Sequence, residues 1–320
     1  MSHRRHPTPG PAPAHALRLG RVVAAHGRHC LVEDPDNGEQ MRCHPRGKRN
    51  EVVVGDLVRW APTGDEGIIE AVEPRRNLLH RQDEWRTKSF AANIDLVLVL
   101  LAADPEFSES QLARALIAAE AAGIDVLIAL NKRDVQPAFD RAWARLAPYR
   151  RMGYDVLPLC LRSAGTDAGE ADLRARLKDR ATLVLGPSGV GKSTLVNRLI
   201  PKAQAETGEI SRALNSGRHT TTSTTWYWTD EARHTALIDS PGFQEFGLAH
   251  IGPERLVHLM PDLREHLGGC RFYNCTHRQE PGCSVRAAVQ DDTHPEAPIS
   301  ASRYRLYGDI FEQLSRQRTY

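Results

Sequence analysis

Hydrophobic and polar residues alternate in short stretches through the first part of the chain. Between residues 17 and 73, stretches such as "RVVAAHGRHCLV", "EVVVGDLVRW" and "EGIIEAVE" are separated by "DPDNG", "HPRG" and "PTGDEG". Alternation with a period of two, interrupted by Gly, Pro and Asp, is typical of short β-strands joined by turns. About 55 residues of such strands predict a small β-barrel, with an OB-fold as the first choice and an SH3-like barrel as the alternative.

Near residue 90 the pattern changes to continuous apolar runs that alternate with amphipathic segments. The apolar runs predict strands at "IDLVLVLLAA", "DVLIAL", "DVLPLCL", "ATLVLG" and "HTALID". Helices are predicted at "SESQLARALIAAEAAG", "FDRAWARLAPYRRMG", "ADLRARLKDR" and "KSTLVNRLI". Apolar strands separated by helices indicate a parallel sheet covered on both faces.

These changes of pattern predict a multidomain chain, for which 320 residues are enough. A tail rich in Pro, Ala and His spans 1–16, an OB-fold β-barrel spans 17–80 and a central α/β domain spans 81–249. A helical domain spans 250–320, with the amphipathic "GPERLVHLMPDLREHLG", a group of cysteines and a terminal helix at "SASRYRLYGDIFEQLSRQ".

Composition places the chain among globular proteins, with 41% hydrophobic and 26% charged residues. It contains no run of about 18 apolar residues that would span a membrane. The first residues, "MSHRRHPTPGPAPAHA", lack the apolar core of a secretory signal. We therefore expect a cytoplasmic protein without a membrane partner. Residues 1–49 carry nine Lys and Arg against four acids, which indicates either a surface for phosphate backbones or an ordinary solvated face.

The stretch "GPSGVGKST" fits the pattern G-x4-G-K-[ST] and lies between a predicted strand and a predicted helix. Its glycines allow backbone N–H groups to face phosphates, and the helix N-terminus adds positive potential. We expect Lys192 to pair with the β- and γ-phosphates, Ser193 to bind Mg²⁺ and Thr194 to reach an inner phosphate. The predicted phosphate-binding residues are Gly186, Pro187, Ser188, Gly189, Val190, Gly191, Lys192, Ser193 and Thr194.

A second motif, "NKRD", follows the predicted strand "DVLIAL". Its residues are Asn131, Lys132, Arg133 and Asp134, and all four are predicted to bind nucleotide. A carboxylate at Asp134 would accept hydrogen bonds from the N1–H and N2–H₂ groups of guanine and would pair poorly with adenine. The stem of Lys132 would cover the face of the base. The motif therefore indicates a preference for GTP.

Two further segments have the composition of nucleotide-dependent switches. In "LIDSPGF", Asp239 would hold Mg²⁺ through water and the Gly242 N–H would contact the γ-phosphate. In "NSGRHTTTSTT", one of three threonines would complete the Mg²⁺ shell, and we assign Thr221 among Thr220, Thr221 and Thr222.

The residue after Gly242 is Phe243, where Ras-like enzymes have a Gln that orients water. We assign that catalytic role to His219, with an ordinary surface histidine as the alternative interpretation.

The order of these motifs is a rotation of the usual one, since NKRD precedes the phosphate loop. Such permutations are tolerated when the new termini lie in exposed loops. The sequence therefore predicts a circularly permuted α/β P-loop GTPase domain. A second guanine-binding element should follow "DVLPLCL", at either Cys160 or Ser163–Ala164.

The stretch "CRFYNCTHRQEPGC" has the spacing C-x4-C-x-H-x5-C. Three thiolates and one imidazole complete a tetrahedral Zn²⁺ site with no position open to water, which is typical of a structural metal. The predicted ligands of one Zn²⁺ are Cys270, Cys275, His277 and Cys283.

The ordered set of barrel, NKRD, "GPSGVGKST", "SGRHTTT", "DSPGF" and "CRFYNCTHRQEPGC" resembles the bacterial circularly permuted GTPases of the RsgA/YjeQ type. The resemblance covers nearly the whole chain after the tail, although the family's Ser-Ala guanine element is poorly matched. It implies a GTPase that binds the maturing 30S subunit and its 16S rRNA, is stimulated by it and assists late assembly. It also implies an OB-fold, a zinc domain, GTP and GDP as ligands, a catalytic histidine at His219 and a monomer.

Other functions remain compatible with the motifs alone. A P-loop by itself also fits a metabolic ATPase or kinase, in which ATP would displace GTP from the site. Two further alternatives are an RNA-binding scaffold with an inactive nucleotide site and a GTPase that acts on the large subunit or on another RNA.

Overall fold

The fold is given by a computed structural model that describes residues 17–27, 29–47, 51–82, 87–162, 168–200, 224–240, 248–292, 294 and 296–317. The tail predicted at 1–16 lies outside the described residues, as do the segments 201–223 and 241–247. Among the described residues, no helix is both long and apolar enough to cross a membrane.

Five short strands form the N-terminal barrel. They pair in the order β1-β2-β3-β5-β4, and a further pairing of β1 with β4 closes the ring. Valine, isoleucine, tryptophan and cysteine side chains from these strands fill a small separate core. The closed barrel with this order confirms the predicted OB-fold. The strands are β1 Arg18–His26, β2 His29–Glu33, β3 Gln40–Pro45, β4 Leu57–Thr63 and β5 Glu66–Val72.

An antiparallel pair, β6 Leu78–Gln82 and β7 Thr87–Ala92, leads from the barrel into the α/β sheet. The sequence analysis did not predict this pair. The boundary that we placed between residues 80 and 81 falls within β6, and the predicted domain limits stay predictions.

The central sheet has the order β10-β9-β8-β11-β13-β12. All neighbouring strands are parallel except β12, which is antiparallel to β13. The apolar runs form fully buried strands at β8, β11 and β13, as expected of a sheet with both faces covered. The strands are β8 Leu96–Ala102, β9 Asp125–Asn131, β10 Asp155–Pro158, β11 Ala181–Leu185, β12 Thr225–Trp228 and β13 Ala236–Asp239.

The helices of this region follow the predicted order, with one correction. Helix α1, Glu109–Ala122, begins after the cap Ser108 and ends at Gly123, whose φ is 65°. The single helix predicted at "FDRAWARLAPYRRMG" is wrong, because the segment forms α2 Ala138–Arg145 and α3 Ala147–Arg151. Pro148 has no N–H to donate and its ring would clash with the carbonyl one turn earlier, so one helix cannot continue through it. The next helices are α4 Ala168–Leu177 and α5 Lys192–Leu199.

Strand β12 joins the barrel to the central sheet. Ala24 of β1 pairs with Thr225 of β12, so that the two sheets form one continuous 11-stranded sheet. The Arg21 guanidinium lies 4.6 Å from the ring of Trp226, and the Trp228 indole donates to Glu33 at 2.6 Å. These contacts fix the barrel against the central domain.

The C-terminal region is made of short helices around the cysteine cluster and one long terminal helix. Its elements are α6 Pro253–Leu256, a 3₁₀ turn Val257–Leu259, α7 Pro261–Arg264, α8 Ser284–Ala287, β14 Val289–Gln290, β15 Ile299–Ser300 and α9 Ala301–Gln317. The buried Arg303 of α9 donates to both carboxylate oxygens of Asp262, at 2.8 and 3.0 Å. Its guanidinium also lies 5.5 Å from the ring of Tyr149, so α9 packs directly against the central domain.

Candidate nucleotide and metal sites

The nucleotide motifs converge at one edge of the central sheet. Asn131 ends β9, the phosphate loop Gly186–Gly191 follows β11, and Asp239 ends β13. These strands are parallel, so their carboxyl ends lie at the same edge, where α/β sheets bind ligands. Residues that are far apart in the chain are thereby brought to one site.

The phosphate loop requires glycine at several positions. Gly189 and Gly191 have φ values of 81° and 103°, a region that side chains with a Cβ rarely adopt. A Cβ at Gly186 would lie 2.6 Å from the Leu100 carbonyl oxygen. Helix α5 begins at Lys192, and the residues Ser193 and Thr194 in its first turn are exposed. The loop therefore presents backbone N–H groups and a helix N-terminus to an anion.

Asn131 connects three parts of the site. Its side chain is 3% exposed. The Nδ2 group donates to the Val190 carbonyl of the phosphate loop at 2.8 Å, and Oδ1 accepts from the Leu161 N–H at 3.0 Å. The amide thus holds the loop after β10 and the phosphate loop in a fixed relation.

The rest of NKRD lies at the surface beside Asn131. Lys132 has a φ of 64°, and its ammonium donates to the Asp104 carbonyl. Arg133 and Asp134 are exposed. The Cys160 thiol donates to the Asp134 carboxylate over an S···O distance of 3.4 Å. Of the two positions left open for the second guanine element, the structure places Cys160 beside Asp134, and Ser163–Ala164 lies outside the described residues.

Asp239 and Lys192 form the other end of the site. The Lys192 ammonium lies 3.6 Å from Asp239 Oδ1 and donates to the Ser240 carbonyl. Asp239 is 9% exposed, and burial raises the pKa of its carboxyl above the ordinary value, opposed by Lys192. Within the described part of the chain, its Oδ1 has no hydrogen-bond partner. A buried carboxylate oxygen of this kind fits a hydrated divalent cation.

Ser240 contributes to the arrangement of the nucleotide site, and the sequence analysis missed it. Its hydroxyl donates to the Val184 carbonyl of β11 at 3.1 Å, while its own carbonyl accepts from Lys192. The sequence feature that could have pointed to Ser240 is its position directly after the aspartate of D-x-P-G. The residues His219, Thr220, Thr221, Thr222, Gly242 and Phe243, to which we gave switch or catalytic roles, lie outside the described residues.

The predicted zinc ligands form one cluster. The ligand atoms of Cys270, Cys275, His277 and Cys283 all lie within 4.8 Å of one another. His277 Nδ1 is 3.5 Å from the Cys270 sulfur and 3.4 Å from the Cys283 sulfur. Three sulfurs and one imidazole at this spacing fit a tetrahedral metal such as Zn²⁺.

The terminal helix holds the cluster in place. The Tyr304 hydroxyl donates to the His277 carbonyl and the Tyr307 hydroxyl to the Thr276 carbonyl, each at 2.7 Å. Next to the cluster, Phe272 and Tyr273 are exposed, and the Arg271 guanidinium lies 5.6 Å from the Phe272 ring. The cluster is therefore anchored by the terminal helix and carries exposed aromatic groups and an arginine next to it.

Comparisons with known proteins give consistent results. The sequence profile of the family described as RsgA GTPase matches residues 72–249. A "Small ribosomal subunit biogenesis GTPase RsgA" of Variovorax paradoxus is 64% identical over 305 residues, which is 95% of each chain. The protein of that name from Burkholderia pseudomallei is 49% identical over 318 residues, covering 98% of this chain and 99% of the relative.

Two solved structures have a similar fold. YjeQ from Thermotoga maritima has 28% sequence identity and a TM-score of 0.69, over 93% of this chain and 98% of that one. YloQ, described as a circularly permuted GTPase, has 27% identity and a TM-score of 0.66, over 98% and 99% of the two chains. Both similarities cover nearly the whole of each chain.

Proposed function

The chain belongs to the RsgA GTPase family and is a GTP-hydrolysing enzyme, and from that premise we propose that it assists the late maturation of the small ribosomal subunit. In this proposal it binds the 30S subunit through 16S rRNA as a cytoplasmic monomer and hydrolyses GTP faster when bound. The names of the relatives support the ribosomal target. The observation that carries the nucleotide part is the convergence of NKRD, the phosphate loop and Asp239 at one sheet edge. Asn131 bonds NKRD to the phosphate loop, and Lys192 of that loop lies 3.6 Å from Asp239.

We assign the base end of the nucleotide to NKRD. Asp134 accepts the N1–H and N2–H₂ groups of guanine, and Asn131 keeps the surrounding loops in position. Lys132 and Arg133 flank the base. Cys160, which contacts the Asp134 carboxylate, marks the second guanine element.

The phosphates lie on the loop Gly186–Thr194 in this proposal. The backbone N–H groups bind the phosphate oxygens, and Lys192 moves from its present partner, the Ser240 carbonyl, to the β- and γ-phosphates. When bound, Mg²⁺ neutralises charge on the phosphate oxygens. The residues that would hold it are Ser193 and Thr221 directly and Asp239 through water, and Gly242 would contact the γ-phosphate.

Hydrolysis requires a group that orients the attacking water. Phe243 has no polar atom for this role. We propose that His219 provides it, because it is the histidine of the predicted switch nearest in sequence to the Mg²⁺ threonines. A histidine can accept a hydrogen bond from water at neutral pH.

The cysteine cluster would hold one structural Zn²⁺. Cys270, Cys275, His277 and Cys283 would take all four positions of a tetrahedral metal, which would leave none for a reacting water. The exposed Phe272 and Tyr273, with Arg271, are suited to stack on unpaired bases and contact phosphates of rRNA. The basic segment 1–49 adds positive charge at the barrel end.

Nucleotide-dependent binding to the subunit follows from the chain order. The predicted switch "LIDSPGF" is followed within a few residues by the C-terminal region. A change at the γ-phosphate would therefore reposition the C-terminal region with its cysteine cluster. We expect co-sedimentation with purified 30S subunits to be about tenfold tighter with a non-hydrolysable GTP analogue than with GDP, within the usual range of coupling between two sites. Purified 50S subunits are the control. Equal binding to 30S with GDP and the analogue would contradict the coupling, and equal binding to both subunits would contradict the target.

A further inference from the structure

An ionic cluster around a buried carboxylate lies near the loop that follows β10. Glu170 of α4 is 4% exposed and lies between two arginines. Arg198 Nη2, from α5, is 2.7 Å from one of its carboxylate oxygens, and Arg174 Nη2 is 3.0 Å from the other. Arg174 Nη2 also donates to the Arg198 carbonyl at 2.7 Å. Arg198 therefore forms an ion pair with Glu170 through its guanidinium and accepts a bond from Arg174 at its backbone carbonyl.

The same guanidinium reaches the base side of the nucleotide site. Arg198 Nη1 donates to the Leu161 carbonyl at 2.9 Å. The Leu161 N–H in turn donates to Asn131, whose amide donates to Val190 of the phosphate loop. Since Val190 directly precedes Gly191 and α5, these bonds form a closed ring that begins and ends on the same loop–helix segment.

We propose that Arg198 is a positioning residue for guanine recognition, which it serves by fixing the loop of Cys160 and Leu161 against NKRD. The proposal deepens the proposed function and rests on it, because it assumes that guanine is bound at Asp134. Arg198 itself touches Leu161 and Glu170 rather than the base. Its effect passes through the Leu161 backbone to Asn131, and through Cys160 to Asp134.

Removal of the Arg198 side chain would take one charged partner from each of two buried groups. The Leu161 carbonyl would lose its charged partner, and Glu170 would keep only Arg174. Buried groups that lose a charged hydrogen-bond partner rearrange or pay a large desolvation cost. The loop would then move away from its present position, and small displacements of a binding loop weaken recognition substantially.

The effect should be confined to the base end of the nucleotide. The phosphates are bound by backbone N–H groups of the phosphate loop and by Lys192, and the ring reaches this loop only through the bond from Asn131 to the Val190 carbonyl. We therefore expect KM for GTP to rise while kcat changes little, the pattern of lost uniform binding. Inosine lacks the exocyclic amine of guanine, so a displaced Asp134 should also reduce the preference for GTP over ITP.

The test is steady-state hydrolysis of GTP and ITP by the full chain. For Arg198→Ala we expect KM for GTP to rise about tenfold with kcat within about twofold of wild type, and the GTP-over-ITP preference to fall about fivefold. The matched control is Arg176→Ala, because Arg176 lies on α4 and pairs at the surface with Asp155. The control should retain the wild-type KM and preference.

Arg198→Lys keeps the positive charge beside Glu170 but replaces the fork that spans Glu170 and Leu161 with one ammonium group. It should fold as wild type, which an unchanged melting temperature would show. The logarithm of its GTP-over-ITP preference should still fall to about half of the wild-type value. Glu170→Gln combined with Arg198→Ala should add little to Arg198→Ala alone, since both act through the same contact.

The proposal is overturned if Arg198→Ala and Arg198→Lys both retain the wild-type KM and the wild-type GTP-over-ITP preference. It is also overturned if KM for GTP and ITP rise by equal factors, which is what a general loss of structure would cause. The underlying guanine assignment fails separately, if Asp134→Asn leaves base preference unchanged. An effective Asp134→Asn with an ineffective Arg198→Ala would contradict only the role of Arg198.

Discussion

The Asp134→Asn variant should lose hydrolysis of GTP and gain hydrolysis of XTP. The carboxylate accepts two hydrogen bonds from guanine, whereas an asparagine amide offers one acceptor and one donor. Xanthine has an N1–H donor and a C2 carbonyl acceptor, which match the amide. We expect kcat/KM for GTP to fall by roughly a thousandfold and that for XTP to rise by a comparable factor, because a site that leaves polar groups unpaired rejects its ligand strongly.

Asp140→Asn is the matched control for this change. Asp140 is an exposed aspartate of α2, six positions after Asp134, and no nucleotide role is assigned to it. It should keep the wild-type preference for GTP. If Asp134→Asn hydrolyses GTP as wild type does and ignores XTP, guanine is not recognised by this carboxylate.

Loss of Zn²⁺ from the cysteine cluster should strongly lower the stability of the C-terminal region. Residues 265–283, between α7 and α8, contain no helix or strand, and the buried Cys283 also caps α8 through the Arg286 N–H. Metal ligation would provide much of the stability of such a segment. For Cys283→Ser we expect loss of the single Zn²⁺ per chain and a stability loss of about 4 kcal/mol, or a melting temperature lower by roughly 10 °C.

Zinc content per chain and limited proteolysis within residues 265–283 measure this effect. Cys160→Ser is the control, because Cys160 is a half-exposed cysteine outside the cluster, and it should retain one zinc. A Cys283→Ser chain that keeps its zinc and its resistance to protease would show that the cluster is not the metal site.

The sequence allowed prediction of those parts of the fold that depend on local pattern. Period-two alternation identified the barrel, and apolar runs identified the parallel strands. The end of α1 at Gly123 was predictable from the left-handed conformation that glycine favours. Helix breaking at Pro148 was predictable by the same kind of rule, and the single helix predicted there did not take the proline into account.

Elements that depend on distant pairing were missed. Strand β12 has four residues, too few for a periodic signal. It is stabilised by β13 and by pairing with β1, where Thr225 meets Ala24, 201 residues earlier in the chain. The 252–268 segment was read as one amphipathic unit but forms short helical turns, two of which begin at Pro253 and Pro261. Proline at a first helical position starts a new helix rather than continuing an old one.

The same division holds for the sites. NKRD, the phosphate loop and the cysteine spacing are local motifs with specific chemistry, and the structure brings each set together. The sequence left the second guanine element open between Cys160 and Ser163–Ala164. Cys160 contacts Asp134, and Ser163–Ala164 lies outside the described residues, so the assignment to Cys160 stays a proposal. Arg198 was not noticed, since its bond to Leu161 joins residues 37 positions apart and belongs to no motif.

The rate of GTP hydrolysis with and without purified 30S subunits tests the proposed function most directly. We predict that 30S subunits raise the rate of the wild-type chain by at least about tenfold, as partners that complete a GTPase site do. The same amount of 50S subunits should leave it unchanged, and His219→Ala should bind 30S without showing the increase. A wild-type rate that is the same with 30S subunits, with 50S subunits and with neither would contradict the proposed function.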